Sequence, residues 1–257
     1  MNRIISDRLC LSSIGDDCNT LAAKYGLGVE IAEFCYALNL DCGYETHLEA
    51  SRRLLDKTNT RAAWFHAPFA DIAACAIDPK VRKITELRYE QSIKTAEKLK
   101  INKIVIHGGY IPYVYYEESY VEQSILFFRD FMKKVPENML IALENVMEPS
   151  PDMLVKIVEG VKDARLGLCL DIGHANTEIS HVSPAEWVLP MAPYLKHVHL
   201  HNNYGGRDLH NSLDDGNVPI IDLLPKITAL CPTVSFTLEV MHCESSVKWL
   251  MANGFIG

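Results

Sequence analysis

Histidine, aspartate and glutamate recur at the ends of short apolar runs in this 257-residue sequence. In six of the eight runs such a residue at or next to the end is a candidate metal ligand, and the six are His66, His107, Glu144, Asp171, His199 and Glu239. Imidazole nitrogen and carboxylate oxygen suit Zn, Mn, Fe or Mg, and the lack of cysteine at these positions disfavours softer metals. The pattern therefore predicts a metalloenzyme with a site for divalent cations.

Two nearby segments add candidate ligands. In LCLDIGHA, His174 follows Asp171 by three residues, and we expect Gly173 to let the chain turn tightly between them. His174 would either bind a cation, which we favour, or orient Asp171 from behind. In RDLH, Asp208 and His210 alternate, so both side chains can reach the same site.

Glu144 and Glu239 are also the candidate catalytic residues. They lie on well-separated runs and can face each other across a common mouth, where one takes a proton from a substrate and the other returns it. Three further residues are candidate substrate contacts, namely Asn145, His201 and Arg207. Each has a plainer alternative: a turn residue, a solvated loop histidine and a solvated arginine, respectively.

In the segment KHVHLHNN, the position of each histidine along the predicted strand indicates its role. Side chains alternate along a strand, so the three histidines share one face, while Val198 and Leu200 point to the other. We expect His199 at the metal centre and His197 below it as a hydrogen-bonded core histidine. His201 would lie above, as a substrate contact or proton shuttle.

Two loops beside these runs have an unusual composition. The segment GGYIPYVYYEESY after His107 is rich in tyrosine and has two glutamates but no lysine or arginine. The segment CYALNLDCGYE also lacks basic residues. Aromatic rings suit stacking on the apolar faces of sugars, and packing at the rim of the fold is the plainer explanation.

The elements that must position these residues alternate in type. Apolar runs predict strands at 8–12, 27–33, 62–66, 103–107, 139–144, 166–171, 195–201 and 234–239. Helices are predicted at about 16–25, 47–57, 80–100, 118–134, 151–162, 184–192, 219–230 and 243–252. The clearest helical pattern covers 81–99, with an apolar stripe of Ile84, Leu87, Ile93, Ala96 and Leu99.

Eight strand–helix units predict one α/β domain over residues 1–257, closed as a (β/α)8 TIM barrel. The runs are apolar throughout, as expected of strands covered on both faces. An open doubly wound sheet, the alternative, would not bring six successive strand ends together. Active sites of such barrels lie at the C-terminal rim, so the candidate ligands would converge there.

Bulk composition narrows the setting. No run approaches the roughly 20 apolar residues of a membrane span. Asp7 and Arg8 fall where a secretory signal would be apolar, and the eight cysteines include no C-x-x-C pair, which together predict a cytoplasmic protein with reduced thiols. The net charge of −8 argues only mildly against a polyanionic partner, because bound cations would offset part of it.

Seven motifs, in their order and spacing, resemble the xylose isomerase-like TIM-barrel superfamily over about residues 27–240. They are HAPF, VIHGG, ALEN, LDIGHA, VHLHNN, DLHNSLDDGN and LEV. That superfamily includes sugar phosphate isomerases and epimerases, and also the endonuclease IV group (AP endonuclease family 2) of abasic-site nucleases. The resemblance implies a rim site with divalent cations.

The two branches imply different sites. The isomerase branch implies one Mn-type ion held by Glu144, Asp171, His199 and Glu239, with the two glutamates as proton-transfer bases. The nuclease branch implies three zinc ions, and a candidate exists for each of its nine ligands. These are His66, His107, Glu144, Asp171, His174, His199, Asp208, His210 and Glu239.

The differences between this sequence and the nuclease pattern favour the isomerase branch. Nucleases of this group insert bulky and basic side chains into DNA, whereas Ala70 follows Phe69 here and the loops near 36–46 and 108–120 carry acids and tyrosines. Duplex binding relies on Lys and Arg to neutralise phosphates. We therefore expect a metal-dependent isomerase or epimerase of a small sugar, sugar phosphate or polyol.

The alternatives are an endonuclease IV-like zinc-dependent phosphodiester hydrolase and a non-catalytic, metal-stabilised barrel. The resemblance implies one to three divalent ions per chain (Zn or Mn), a small carbohydrate substrate and, in many members, a homodimer. Nucleic acid is not the expected partner, although the filled ligand set leaves it open.

Overall fold

Eight parallel strands close into a barrel in the computed structural model, which describes residues 5–59 and 62–257. The strands are β1 (Leu9–Ser12), β2 (Gly28–Ile31), β3 (Trp64–His66), β4 (Lys103–His107), β5 (Leu140–Glu144), β6 (Leu166–Asp171), β7 (Leu195–Leu200) and β8 (Ser235–Leu238). Each strand pairs with its neighbour in sequence, and β8 pairs with β1. The predicted (β/α)8 TIM barrel is confirmed.

Helices cover the outside of the barrel. They are α1 (Cys18–Tyr25), α2 (Leu38–Asp41), α3 (Tyr44–Leu55), α4 (Pro79–Lys98), α5 (Glu117–Phe131), α6 (Asp152–Val161), α7 (Pro184–Met191), α8 (Ile220–Leu230) and α9 (Cys243–Ala252). The short α2, in the loop after β2, is not among the predicted helices. The start of α4 carries a clear helix signal in sequence, because Asp78 caps the Lys80 amide and Pro79 occupies the first turn.

The strand pleat separates two environments. In β5, Ile141 and Leu143 pack outward against the helices, whereas Ala142 and Glu144 lie on the inner face. A small apolar cluster fills the inside, formed by Cys10, Ala62, Trp64, Val105, Ala142 and Cys169. This apolar cluster therefore shields the polar inner residues nearer the strand ends from water on one side.

Strand register places candidate ligands side by side. His107 pairs with Glu144 across β4 and β5, and Asp171 pairs with His199 across β6 and β7. The second pairing depends on a register shift in the β6–β7 ladder just after Leu168. Without it, the neighbour of Asp171 would be an outward-facing residue of β7 rather than His199.

One sequence expectation for α4 is wrong. The predicted apolar stripe includes Ile84 and Leu87, but these residues are 50% and 47% exposed. The buried face of this half of α4 is polar: the Thr85 hydroxyl accepts a hydrogen bond from the Ala73 amide, and Tyr89 donates one to the carbonyl of His107. Backbone groups of the 67–78 loop and of the end of β4, which need partners, thus face this side of the helix.

The cysteines agree with the prediction from their spacing. All eight are free thiols, and seven of them are buried. In the described ranges, no helix combines the length and apolar character required to cross a bilayer.

Candidate metal centre

An inner group of four residues lies at the C-terminal mouth of the barrel. One ligand atom from each of Glu144, Asp171, His199 and Glu239 lies within 4.8 Å of the other three. The Nδ1 atom of His199 is 3.0 Å from Glu239 and 3.3 Å from Glu144. The first three side chains are at most 1% exposed and that of Glu239 is 12% exposed.

Three buried atoms of this group have no hydrogen-bond partner of acceptable geometry. They are Glu144 Oε2, His199 Nδ1 and Glu239 Oε2. Buried polar atoms without partners are rare because each costs about 1–3 kcal/mol. All three are of types that bind divalent cations: His199 Nδ1 and Glu239 Oε2 lie 3.0 Å apart, and Glu144 Oε2 faces His66 and His107. The donor set therefore fits a divalent cation.

Glu30 holds His199 in the orientation that this site needs. Its Oε2 atom accepts hydrogen bonds from Nε2 of His199 (3.2 Å), from Nε2 of His197 (3.1 Å) and from Thr237 (2.7 Å). Protonation of His199 at Nε2 leaves Nδ1 as the free ligand atom. The sequence prediction missed Glu30, although a glutamate at an inward position of the apolar run LGVEIAE is the signal that would reveal it.

A second group shares Glu144 with the first. Nε2 of His66 and Nε2 of His107 lie 3.5 and 3.2 Å from Glu144 Oε2. The other ring nitrogen of His66 lies 2.8 Å from the carbonyl of Ala67. That contact fixes the tautomer that leaves Nε2 free for a cation.

An outer group lies beside the inner one. Asp208 Oδ2 is 3.2 Å from His174 Nε2 and 2.9 Å from His210 Nε2. Each of these histidines turns its Nδ1 atom to a backbone carbonyl, that of Asn145 or Glu239, at 2.8 Å. The nine predicted ligands thus fall into three adjoining groups.

His201 belongs to the outer group rather than to solvent. It is fully buried, so the solvated-loop alternative is wrong. Its Nε2 atom lies 2.9 Å from Asp171 and 3.6 Å from Asp208, and its ring stacks on His210 at 4.1 Å. It therefore bridges the inner and outer groups, and its free Nδ1 atom is buried.

Of the two other predicted substrate contacts, Asn145 is wrong and Arg207 stays a prediction. Both polar atoms of the Asn145 side chain bond the backbone of Asp171, at 3.0 and 2.8 Å, so this amide positions β6 and is not available to a substrate. Arg207 is exposed on the 201–219 loop, next to Asp208. The expected core position of His197 is confirmed by its bonds to Ser235, Glu30 and Thr237.

Gly173 has a different role from the one expected. Its φ of −74° and ψ of −46° are open to any residue, so no special turn requires glycine. A β-carbon there would lie 1.9 Å from the His201 ring. Glycine is needed because the backbone passes directly over that histidine.

Carboxylates and imidazoles perturb each other strongly. Burial opposes ionisation of Glu144, but the positive charge of His199 and His107 holds its pKa well below the usual range. Burial likewise opposes protonation of His66, yet the adjacent Glu144 carboxylate raises its pKa to about 9. Burial dominates for His197 and lowers its pKa to about 4, which keeps that ring neutral. Protons and cations therefore compete for the same ligand atoms.

Comparison with known proteins places this geometry in a family. The family model described as xylose isomerase-like TIM barrel matches residues 21–249. The chain belongs to this family. The resemblance found in the sequence motifs is thereby confirmed.

The matching curated relatives have no assigned activity. Uncharacterised protein MJ1311 of Methanocaldococcus jannaschii is 29% identical over 195 residues, which is 71% of this chain and 66% of that protein. MJ1614 of the same organism is 26% identical over 60% of this chain and 61% of its own length. The chain thus spans slightly less than two thirds of either relative.

Solved structures share the fold across nearly the whole chain. A D-tagatose 3-epimerase-like protein has a TM-score of 0.78 and 24% identity, with 96% of each chain covered. Protein TTHB071 of Thermus thermophilus, soaked with ZnCl2, has a TM-score of 0.73 and 23% identity over 96% of this chain and 97% of that one. A D-psicose 3-epimerase of Clostridium cellulolyticum, with D-tagatose, has a TM-score of 0.68 and 18% identity over 90% and 83%.

Proposed function

We propose that this protein is a metal-dependent isomerase or epimerase of a small sugar or polyol. The observation that carries the proposal is the inner group of Glu144, Asp171, His199 and Glu239, with its three unpartnered buried atoms. Solved structures with the same fold include sugar epimerases and a protein soaked with zinc. The proposed cofactor is one to three divalent ions, Zn or Mn.

In this proposal the two glutamates move the proton. A divalent ion would polarise a carbonyl and the adjacent hydroxyl of the substrate. One oxygen each of Glu144 and Glu239 is directed to the ligand point, which leaves each a second oxygen. Glu239 removes a proton from the carbon next to the carbonyl and becomes protonated. In an epimerase, Glu144 gives a different proton, its own, to the opposite face of that carbon, so the two carboxyl groups exchange protonation states in each turnover. In an isomerase, Glu239 gives its proton to the neighbouring carbon while Glu144 passes the hydroxyl proton to the other oxygen. Asp171 and His199 hold the ligand geometry.

The charge of the rim favours an uncharged substrate. We define the rim loops as the segments that follow the eight strands, namely 13–17, 32–43, 67–78, 108–116, 145–151, 172–183, 201–219 and 239–242. Of the 25 Lys and Arg in the sequence, these loops contain one, Arg207, within the described ranges. Seven of the eight loops carry at least one Asp or Glu. A phosphate group, and a nucleic acid still more, would meet few cationic partners there.

A second candidate function rests on the ligand count. All nine ligands implied by the endonuclease IV group lie in three adjoining groups, which suits a trinuclear phosphodiester hydrolase. The rim loops oppose this candidate, because three cations could bind a scissile phosphate but the flanking duplex would have one basic side chain to meet it.

Solvent exchange separates the two candidates. The protein, stripped of metal and reloaded with Mn or Zn, is incubated in D2O with a panel of ketoses and followed by NMR. Exchange of a carbon-bound proton next to the carbonyl is expected only with metal present. In parallel, the same protein is tested on duplex DNA with one abasic site. DNA incision with no sugar exchange would contradict the proposed function and establish the second candidate.

A further inference from the structure

A groove of about 1000 Å³ lies between rim loops that follow strands carrying candidate ligands. Its walls come from three rim loops, those at 108–116, 145–151 and 172–183, and from the start of α5. Its lining includes Tyr110, Tyr113, Tyr116, Glu117, Met147 and Glu178. The proposed proton transfer uses none of them.

The lining has an uncommon chemistry. Tyr113 and Tyr116 are 105% and 85% exposed, although aromatic rings of this size are normally covered. Glu117 and Glu178 are exposed beside them, and among the groove residues there is no lysine or arginine. Flat rings offer faces to apolar C–H surfaces, and carboxylates accept hydrogen bonds from hydroxyl groups. A neutral polyhydroxylated ring presents both surfaces at once.

The walls of the groove are joined to the metal centre by short chain segments. Tyr110 and Met147 lie three residues beyond the candidate ligands His107 and Glu144, and Glu178 lies four residues beyond His174. Chain segments of this length span at most about 14 Å. All three walls therefore start at the metal centre, within reach of a ligand longer than one ring.

The walls are held in place by buried contacts. The Tyr120 hydroxyl donates to Glu148 (2.7 Å), whose other oxygen accepts from the Val146 amide (2.8 Å). The Tyr110 ring packs on Tyr120 with centroids 4.9 Å apart. The His181 amide bonds the carbonyl of Pro149 at 2.8 Å, which ties two of the loops together. A groove with anchored walls needs little ordering to bind a ligand.

We propose that this groove binds a second sugar ring, joined to the ring that reacts at the metal centre, so that the preferred substrates are glycosides or disaccharides. The inference rests on the proposed function and adds the substrate class. The reacting ring lies over Glu144 and Glu239, and the second ring stacks on Tyr113 or Tyr116.

Calorimetry with matched ligands tests the groove. D-fructose is compared with two disaccharides that end in fructose, lactulose and maltulose, on the metal-loaded protein. At least one disaccharide is expected to bind 10-fold or more tightly than fructose. Tyr113→Ala and Tyr116→Ala are expected to reduce that advantage to threefold or less, and their exposure means that the fold loses little packing. Leu189→Ala, which removes a 65% exposed side chain from α7, is the control and should keep the full advantage.

Two results would overturn the inference. One is equal affinity for fructose and both disaccharides, or an advantage that survives in both tyrosine variants. The other is a dimer in sedimentation experiments that both tyrosine variants abolish, because a second copy of the chain would then cover the groove. Proton exchange with fructose on the unmodified protein reports separately on the proposed function, so the failure of one is distinguishable from failure of the other.

Discussion

The inner and outer ligand groups are built from the same residue types but are supported differently. Asp171 and His199 of the inner group are fully buried, whereas the side chains of Asp208 and His210 in the outer group are 33% and 27% exposed. Inner ligands lie at or next to the ends of paired strands, where register fixes their spacing. Asp208 and His210 come from one long loop, and His210 has a φ of +49°.

The difference has a functional consequence. A ligand fixed by barrel register loses little conformational freedom when it binds a cation, but a loop ligand must be ordered at a cost of about 1–2 kcal/mol per residue. We therefore expect the inner group to hold an essential ion tightly and the outer group to hold a weaker one. The predictions below test that ranking.

The largest effect is expected from Glu144→Ala. Glu144 lies within 3.5 Å of four histidines and takes part in two of the three groups: His66, His107, His174 and His199 are its neighbours. Its loss should lower the rate of substrate proton exchange by about 10²–10⁴-fold and remove metal measured by elemental analysis. Glu122→Ala, an exposed carboxylate of α5, is the control. If Glu144→Ala kept both its metal and its exchange rate, the claim that the inner group holds the essential ion would be wrong.

The next effect is expected at Glu30, which bonds His199 but is not one of the four residues of the inner group. Glu30→Ala should weaken metal binding by about 10–100-fold, because His199 loses the acceptor that orients it. Glu30→Gln keeps the shape and one acceptor and should recover part of that loss. The d–d absorption of bound Co(II) would report the altered His199 ligation independently of activity. Glu33→Gln, which lies beyond the end of β2 and pairs with His47, should change neither property.

A smaller effect is expected from Asp208→Ala. The outer group loses the carboxylate shared by His174 and His210, so its ion should be lost. Sugar proton exchange should fall by no more than about 10-fold, since the inner group stays complete. The two readouts are metal content after dialysis and the exchange rate. A loss as large as that of Glu144→Ala would mean that the outer ion takes part in the chemistry, as the hydrolase candidate requires.

The smallest effect is expected from Arg207→Ala. Arg207 is the single basic residue of the rim loops, and a neutral substrate has no group that it must bind. The ratio kcat/KM should change by less than about threefold. A hydrogen bond to a charged group contributes about 1.5–3 kcal/mol, so a loss well beyond 10-fold would point to an anionic substrate such as a sugar phosphate.

Sequence patterns were sufficient to predict those features of the structure that a single local rule determines. Strands buried on both faces read as apolar runs, and all eight strands are located in this way. Residues at the ends of parallel strands must meet at one rim, which is why distant ligands such as His66 and Glu239 can be assigned to one site from the sequence alone.

The features that sequence could not supply depend on contacts between distant segments. The register shift between β6 and β7 decides the neighbour of Asp171, and nothing in either run alone specifies it. Asn145 bonds the backbone of the adjacent strand, and Gly173 makes room for the His201 ring just beyond β7. The polar buried face of α4 bonds the Ala73 amide and the His107 carbonyl, which lie on other segments of the chain.

Metal titration tests the ranking of the two groups most directly. Metal-free protein receives Mn or Co in steps, and bound ions per chain are measured together with the rate of substrate proton exchange. The rate should rise linearly to one bound ion and change little as further ions fill the second and outer groups. A rate that stays near zero until two or three ions are bound would contradict the claim that the inner group of Glu144, Asp171, His199 and Glu239 is sufficient for the chemistry.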